Sequence, residues 1–546
     1  MLQPQNQTLK YDHLFTYIDT GQLKIPRFQR DFVWSKEQTA RLIDSLIKGY
    51  PIGTFILWLT QEELRHVKEL GGIDLPSAPP GQAVYYVLDG QQRITSLYAV
   101  RKGLRLTKEG KEIDYQDISI NLELDPDADE RVVLVGLQED VTKISVYKLL
   151  NGSIVEFVDE YTKGQLQKIE TYQKRLKGYD FSTIVISNYP IDVACEVFTR
   201  INTGGTELTL FEIMVAKTYD ESRDFDLAEK YELLIDNNGD SEKDLEEAGF
   251  ETIPASTILQ CMAAHLGKQV RRSDILKLDK QAFIDSWPVI KEGIFTAVDY
   301  VRDHLRVPVS RLLPYNALLV PLTYFFVRND YTPPTPQQNA LLTQYFWWAS
   351  LGNRFSSGVD GKIAQDLLRM DSILEKKIPD YRGEEIALTL ENLRWHWFST
   401  GDAFSKAIIC LYAHFQPRSF ASDKLVRLDN SWLKRANSRN YHHFFPKSYL
   451  RKRGYEDWKA NSVLNITIVD DYLNKRKIRA KPPGEYMRDF QSGNLVLDKT
   501  MESHLIDDLE SYGVWQNDYE RFIECRGTRV LEELHKRLEP DPRSVY

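Results

Sequence analysis

Residues 83–103, AVYYVLDGQQRITSLYAVRKG, change their pattern at one point, and that change constrains the fold more than any other stretch. Up to Asp89 the run is β-branched and aromatic, as a strand in a sheet requires. Gly90 permits a tight turn. From Gln91 the sequence reads as a helix, which Gly103 closes. A strand that passes directly into a helix calls for a sheet covered by helices. The runs DISINLELD, RVVLVGL and STIVISNYP add further strands. From about residue 216 the patterns are mostly helical, with breaks at NDYTPPTPQQ and IPDYRGEE. Strand-like and basic segments return between about 437 and 481. The expectation is an α+β multidomain chain: a mixed α/β domain over 1–215, a helical middle over 216–420, and a small α+β domain over 421–546.

Charge narrows the function. The 546 residues carry a net charge of −9, so the chain is not a general polyanion binder. Any nucleic-acid contact must come from a local basic patch. The four cysteines lie far apart and form no C-x-x-C pair, which excludes a zinc ribbon and a disulfide framework and fits a reducing compartment. The run LLPYNALLVPLTYFFV is too short for a bilayer and holds two prolines, so it reads as a buried helix pair. The N-terminal MLQPQNQTLKYDHLF has no apolar signal region. A soluble cytoplasmic protein with no membrane partner is expected.

Three N-terminal segments place polar residues where a pure core would not want them. In IPRFQRDFVWSKEQTARLIDSLIKG, Ser35 and Gln38 form a capping box, and Gln29 and Arg30 stand just before it. In VLDGQQRITSL, Asp89 and Gln92 read as a second box. Free amides at that helix start, with Arg93 in the first turn, would suit an anion. In VFTRINTGGTELTLFEI, Gly204 and Gly205 allow close backbone approach, Thr209 and Glu212 cap the next helix, and Arg200 and Asn202 add donors. Each segment alone is an ordinary capped turn with a surface arginine; together they point to a phosphate or nucleotide pocket.

These three motifs together resemble the N-terminal domain of GmrSD-type, modification-dependent restriction enzymes. Asp89, Gly90, Gln91, Gln92 and Arg93 match its Asp-Gly-Gln-Gln-Arg motif, Gln29 and Arg30 its Gln-Arg pair, and Arg200, Asn202, Gly204 and Gly205 its glycine loop. The resemblance implies a ParB/sulfiredoxin-like fold that binds, and hydrolyses, a nucleoside triphosphate. GTP, ATP, UTP and CTP stay equally open. Gln29 and Arg30 are assigned to nucleotide or to sensing of the DNA modification.

The C-terminal segment NSRNYHHFFPKSYL pairs His442 and His443 three residues before Pro446. A basic linker, YLRKRGYEDWKA, follows. Then SVLNITIV reads as a strand and DDYLNKRKIR as a short helix. Strand, loop, strand, helix is the order of a ββα-metal nuclease finger. Neighbouring residues of a strand face opposite ways, so one histidine can reach a metal and the other the nucleophile. Phosphodiester hydrolysis needs a base near neutrality, and a divalent ion neutralises charge on the phosphate. Asn465 follows His443 by 22 positions, and Asn474 follows Asn465 by nine.

This arrangement resembles the HNH nuclease motif. The resemblance implies that His443 is the general base, that His442 and Asn474 hold the metal, and that Asn465 orients the loop or the base. Lys475 and Arg476 stand where the family has a cation near phosphate, and Lys447, Arg476 and Lys477 are assigned to the DNA backbone. His442 replaces the more common Asp, so Mg²⁺, Mn²⁺, Ni²⁺ or Zn²⁺ are all chemically reasonable ions. Elsewhere, Trp347 and Trp348 read as core and Arg354 as a candidate for substrate contact. The expected function is a nucleotide-regulated, divalent-metal-dependent DNA endonuclease of an anti-phage restriction system. Its expected substrate is double-stranded, modified phage DNA, cut by a chain able to form a homodimer. Rival readings are an SspE-type effector, which senses phosphorothioate-marked DNA and nicks unmarked DNA, and a ParB-like nucleotide switch with an inactive HNH scaffold.

Overall fold

The structure is a computed structural model that describes residues 3–26, 34–62, 64, 66, 69–70, 73–79, 81–108, 111–128, 131–136, 142–201, 208–237, 243–384, 386, 388–430, 441–469, 478 and 480–539. Two compact units, Met1–Leu227 and Ala228–Tyr546, divide the chain.

The first unit is built on a five-stranded sheet. In chain order its main elements are β1 (Gln5–Lys10), α1 (Tyr11–Asp19), β2 (Leu23–Lys24), α2 (Lys36–Ile47), β3 (Phe55–Thr60), β4 (Val84–Asp89) and α3 (Gln91–Lys102). There follow β5 (Ile118–Asn121), β6 (Val133–Val135), β7 (Lys143–Ser145), α4 (Lys163–Lys177), β8 (Asp180–Ser187), α5 (Ile191–Ile201) and α6 (Leu210–Thr218). The sheet order is β1-β8-β3-β4-β2, while β6-β5-β7 form a smaller antiparallel sheet. β8 and β3 run parallel, and β3 and β4 antiparallel with an irregularity between Ile56 and Leu57. The main sheet buries Phe55, Leu57, Val87, Phe181 and Val185 against Leu14, Phe15, Ile43, Leu46, Ile94 and Leu97 of the helices. Each strand expected from the sequence is present, and α3 ends at Gly103 in the left-handed region.

The capping boxes at Ser35/Gln38 and Thr209/Glu212 form as expected. The one expected at Asp89/Gln92 does not. Asp89 still belongs to β4, and its carboxylate accepts from Arg93 Nη2 at 2.9 Å. Gly90 is the N-cap, with φ +98° and no side chain to cap with. A Cβ there would also lie 2.4 Å from the Phe55 ring, so glycine is required on both counts.

The second unit joins helices to a short β-hairpin-like ladder. Its main elements are α7 (Ala255–Gly267), α8 (Lys280–Asp303), α9 (Leu319–Arg328), α10 (Pro336–Leu351), α11 (Val359–Leu374), α12 (Ala403–His414), β9 (Tyr441–His443), α13 (Lys447–Lys452), α14 (Asp457–Ala460), β10 (Ile466–Ile468), α15 (Pro483–Gln491) and α16 (Tyr519–Leu538). α9 is buried against α7, α8 and α11, and α16 packs on α10. The apolar run expected to be a helix pair is the single helix α9, preceded by 3-10 turns at Ser310–Leu312 and Asn316–Leu318. Pro314 lacks an N–H and disfavours helical backbone at Leu313, so no helix extends through it. The basic linker is likewise not a linker but the two short helices α13 and α14, joined by a two-point Arg451–Asp457 ion pair.

Trp347 and Trp348 are core, as expected. Arg354 is not available to substrate. It is 6% exposed and pairs with Asp366 and Glu384, each at 2.9 Å. Arg369 bonds the same two carboxylates, and both guanidiniums lie over the Trp348 ring. No described helix is long and apolar enough to cross a membrane.

Candidate functional site

The C-terminal histidine pair sits on β9, which pairs antiparallel with β10: His442 opposite Thr467 and His443 opposite Ile466. Alternation along the strand sends the two rings to different surroundings. His442 is 3% exposed, edge-on to Tyr486, with Nδ1 3.5 Å from the Thr467 hydroxyl. Burial pushes its pKa down to about 3, helped by His443 and His504, so the ring is neutral at physiological pH. His443 is half-buried. Burial again lowers its pKa, to about 4, and nearby Lys447 adds to the effect.

One contact fixes the state of His443. Its Nε2 lies 2.8 Å from Asn461 Oδ1. The Asn461 amide cannot be turned round, because its Nδ2 donates to the Phe398 carbonyl at 2.9 Å. A carbonyl only accepts, so Oδ1 faces the imidazole. A neutral His443 therefore carries its proton on Nε2 and keeps a lone pair on Nδ1. That is the state a proton acceptor needs. Sequence reasoning missed Asn461. In the string ANSVLN nothing local separates it from a surface asparagine; its importance arises from partners at residues 398 and 443.

Asn465 holds the loop. It is fully buried, accepts from the Phe445 N–H at 2.8 Å, and donates to the Phe445 and Ala460 carbonyls at 3.0 and 2.9 Å. It thus ties the residues just after His443 to the end of α14. Behind it, the fully buried Arg526 donates to the carbonyls of Leu464 and Ile466 at 2.6 and 2.7 Å and to that of His504 at 3.0 Å, with its guanidinium over Tyr412. Arg526 was also invisible in the sequence, since its acceptors are all backbone atoms about 60 and 22 residues away. Lys447 opens α13, four residues after His443. Asn474, Lys475, Arg476 and Lys477 lie outside the described residues. Among the described residues no three His, Cys, Asp or Glu side chains converge as a metal site. His442, neutral and buried, is in the protonation state a metal ligand requires.

The N-terminal motif has a different geometry. Arg93 turns inward: Nη1 donates to the Ile52 carbonyl at 2.7 Å, and Nη2 to the Thr54 carbonyl at 3.1 Å and to Asp89. It knits the start of β3 to the end of β4. Gln91 and Gln92 are buried, and Gln92 Oε1 accepts from the Trp34 N–H at 3.2 Å. Gly90, the N-cap of α3, has no side chain with which to cap the first amides of that helix. α5 packs against β4, and at its end Arg200 is exposed and paired with Glu196 at 2.6 Å. Gln29, Arg30, Asn202, Gly204 and Gly205 lie outside the described residues.

Comparison with known proteins agrees with this division. An uncharacterized protein of Methanocaldococcus jannaschii is 24% identical, over 94% of this chain and 96% of its own length, so the likeness runs through both units. Residues 11–219, nearly all of the first unit, match the model of the GmrSD restriction endonuclease N-terminal domain, and this N-terminal region is therefore GmrSD-like.

Proposed function

We propose that the chain is a divalent-metal-dependent DNA endonuclease of an anti-phage restriction system, with a nucleotide-regulated first unit that directs it to modified DNA. The observation that carries this reading is the His443–Asn461 contact on the strand pinned by Asn465. It fixes the tautomer of an imidazole that burial keeps neutral, in an HNH-like setting. Restriction chemistry also accords with the GmrSD-like character of residues 11–219.

In this reading His443 Nδ1 takes a proton from water as the water oxygen bonds to phosphorus and the opposite P–O bond breaks. Lys447 attracts the phosphodiester backbone, Asn461 fixes the ring, and Asn465 fixes the loop that bears it. His442 and Asn474 would hold the metal, which supplies neutralisation of charge on the phosphate. Lys475, Arg476 and Lys477 would add further cations. In the first unit, the ParB/sulfiredoxin-like sheet would present Gly90, Gln91 and Gln92 to the nucleotide phosphates, with Arg200, Asn202, Gly204 and Gly205 closing over them. Asp89 and Arg93 shape that turn from within.

The deciding experiment is nicking of supercoiled plasmids, modified and unmodified, with Mg²⁺ or Mn²⁺ and with each nucleoside triphosphate. Wild type is expected to cut. His443→Ala is expected to lose on the order of 10²–10⁴ in rate while still folding and binding DNA. Cutting by His443→Ala within threefold of wild type removes the assignment.

A further inference from the structure

Trp397, 49% exposed, lies on a segment bonded to the loop that carries Asn461, the partner of the candidate base. Its strand-like segment is fixed on both sides. Trp397 bridges Ser462, the Phe398 N–H donates to the Asn461 carbonyl at 2.9 Å, and the Val463 N–H donates to the His396 carbonyl at 2.9 Å. Alternation buries Phe398 against Tyr441 and leaves the Trp397 ring outside. Asn461 therefore anchors both His443 and the segment that carries Trp397. The ammonium of Lys447 stands 5.5 Å from the centre of the Trp397 ring, and Lys447 opens α13 four residues after His443. Trp397 thus touches Lys447 and lies on a segment hydrogen-bonded to Asn461, the partner of His443.

A flat exposed ring and a cation beside a proton acceptor suit the base and the phosphate of a nucleotide at a cut site. The ring offers a stacking face to a base, and the cation attracts the backbone. In a chain of net charge −9, contact with a polyanion requires such a local cation. A base inside a regular duplex has both faces covered and cannot stack on an indole. We infer that Trp397 and Lys447 form a platform for one unstacked base next to the scissile phosphate. The nuclease would then prefer DNA that is locally unpaired or distorted over uniform duplex. This inference rests on the nuclease reading above.

The test uses the full chain without divalent metal, so that DNA is bound and not cut. Fluorescein-labelled oligonucleotides of one sequence are offered as a perfect duplex, as the same duplex with a short central bubble, and as a single strand. Anisotropy is expected to show wild type binding the bubble and the single strand more tightly than the duplex. Trp397→Ala should weaken the bubble and single strand roughly five- to hundredfold and the duplex less than about twofold, with Trp397→Phe keeping most of the preference. Circular dichroism melting checks that the variants fold. Equal wild-type affinity for duplex and bubble overturns the inference. So does a Trp397→Ala effect that is absent, or that is the same on all three DNAs. A wild-type chain that nicks plasmid but shows no Trp397 effect defeats the platform alone; one that neither binds nor nicks any DNA defeats the nuclease reading with it.

Discussion

Removing Asn461 tests the site at its most specific contact. Asn461→Ala deletes the acceptor of the His443 Nε2–H, 2.8 Å away, and the donor to the Phe398 carbonyl, 2.9 Å away. Each group left without a partner costs about 1–3 kcal/mol, the low end applying to His443, which is only half-buried. The catalytic cost is separate. Without Asn461 the imidazole can rotate and can place its proton on either nitrogen, so the Nδ1 lone pair is no longer held towards the phosphate. Loss of such an orienting partner typically costs about 10–100-fold in activity. Asn461→Asp separates the two effects. Its carboxylate accepts from Nε2 as the amide does, but it cannot donate to Phe398 and places an anion against that carbonyl. Single-turnover plasmid nicking over a range of metal concentrations, beside thermal melting, is the assay. The expected result is slow cutting by Asn461→Ala at unchanged metal dependence, and recovery of rate but not of melting temperature in Asn461→Asp. If Asn461→Ala cuts within threefold of wild type, or Asn461→Asp is as slow as Asn461→Ala, Asn461 does not position the base.

Two further outcomes follow from buried groups. Arg93→Ala leaves the Ile52 and Thr54 carbonyls and the Asp89 carboxylate without their donor, so the first unit should melt earlier by about 1–3 kcal/mol, and triphosphate hydrolysis and plasmid cutting should both change; normal hydrolysis and cutting would separate the turn from nucleotide regulation. Acid should destabilise the second unit through His504 and His414, whose burial lowers their pKa to about 3 and about 4. Between roughly pH 6.5 and those values the unfolded chain binds protons that the folded chain does not, so stability falls as pH falls, by up to about 1.4 kcal/mol per pH unit for each histidine. Urea unfolding at pH 7, 6 and 5 reads this directly, and a midpoint that does not move between pH 6 and 5 contradicts it.

What the sequence made legible was local. The strand, turn and helix around Asp89-Gly90-Gln91 were readable because the pattern changes within a few residues. The boxes at Ser35/Gln38 and Thr209/Glu212 were readable because cap and partner are three residues apart. The same rule failed at Asp89 because Arg93, four residues on, draws the carboxylate into the turn. Arg93 itself was read as a phosphate donor; its fork is spent on backbone carbonyls that only the fold brings within reach. Arg354 was misread for a related reason, since the carboxylates that claim it belong to residues 366 and 384.

The same distinction runs through the candidate nuclease centre. His442, His443 and Asn465 were singled out because an adjacent pair and a β-branched run mark them in the sequence. Asn461 and Arg526 were not, because every bond they make closes a loop of many residues: Asn461 to Phe398 and His443, Arg526 to the carbonyls on either side of Asn465. Apart from Asn465, which holds the loop, the residues legible from motif are those proposed to touch water, metal and phosphate, where chemistry restricts the side chain. The residues that hold them still are chosen by distance and burial: any donor that reaches the same carbonyls would serve for Arg526, and any side chain that also accepts from Nε2 for Asn461. Loss of Asn461 should therefore be relieved by another side chain that accepts from Nε2, whereas loss of His443 requires another proton acceptor at the same place.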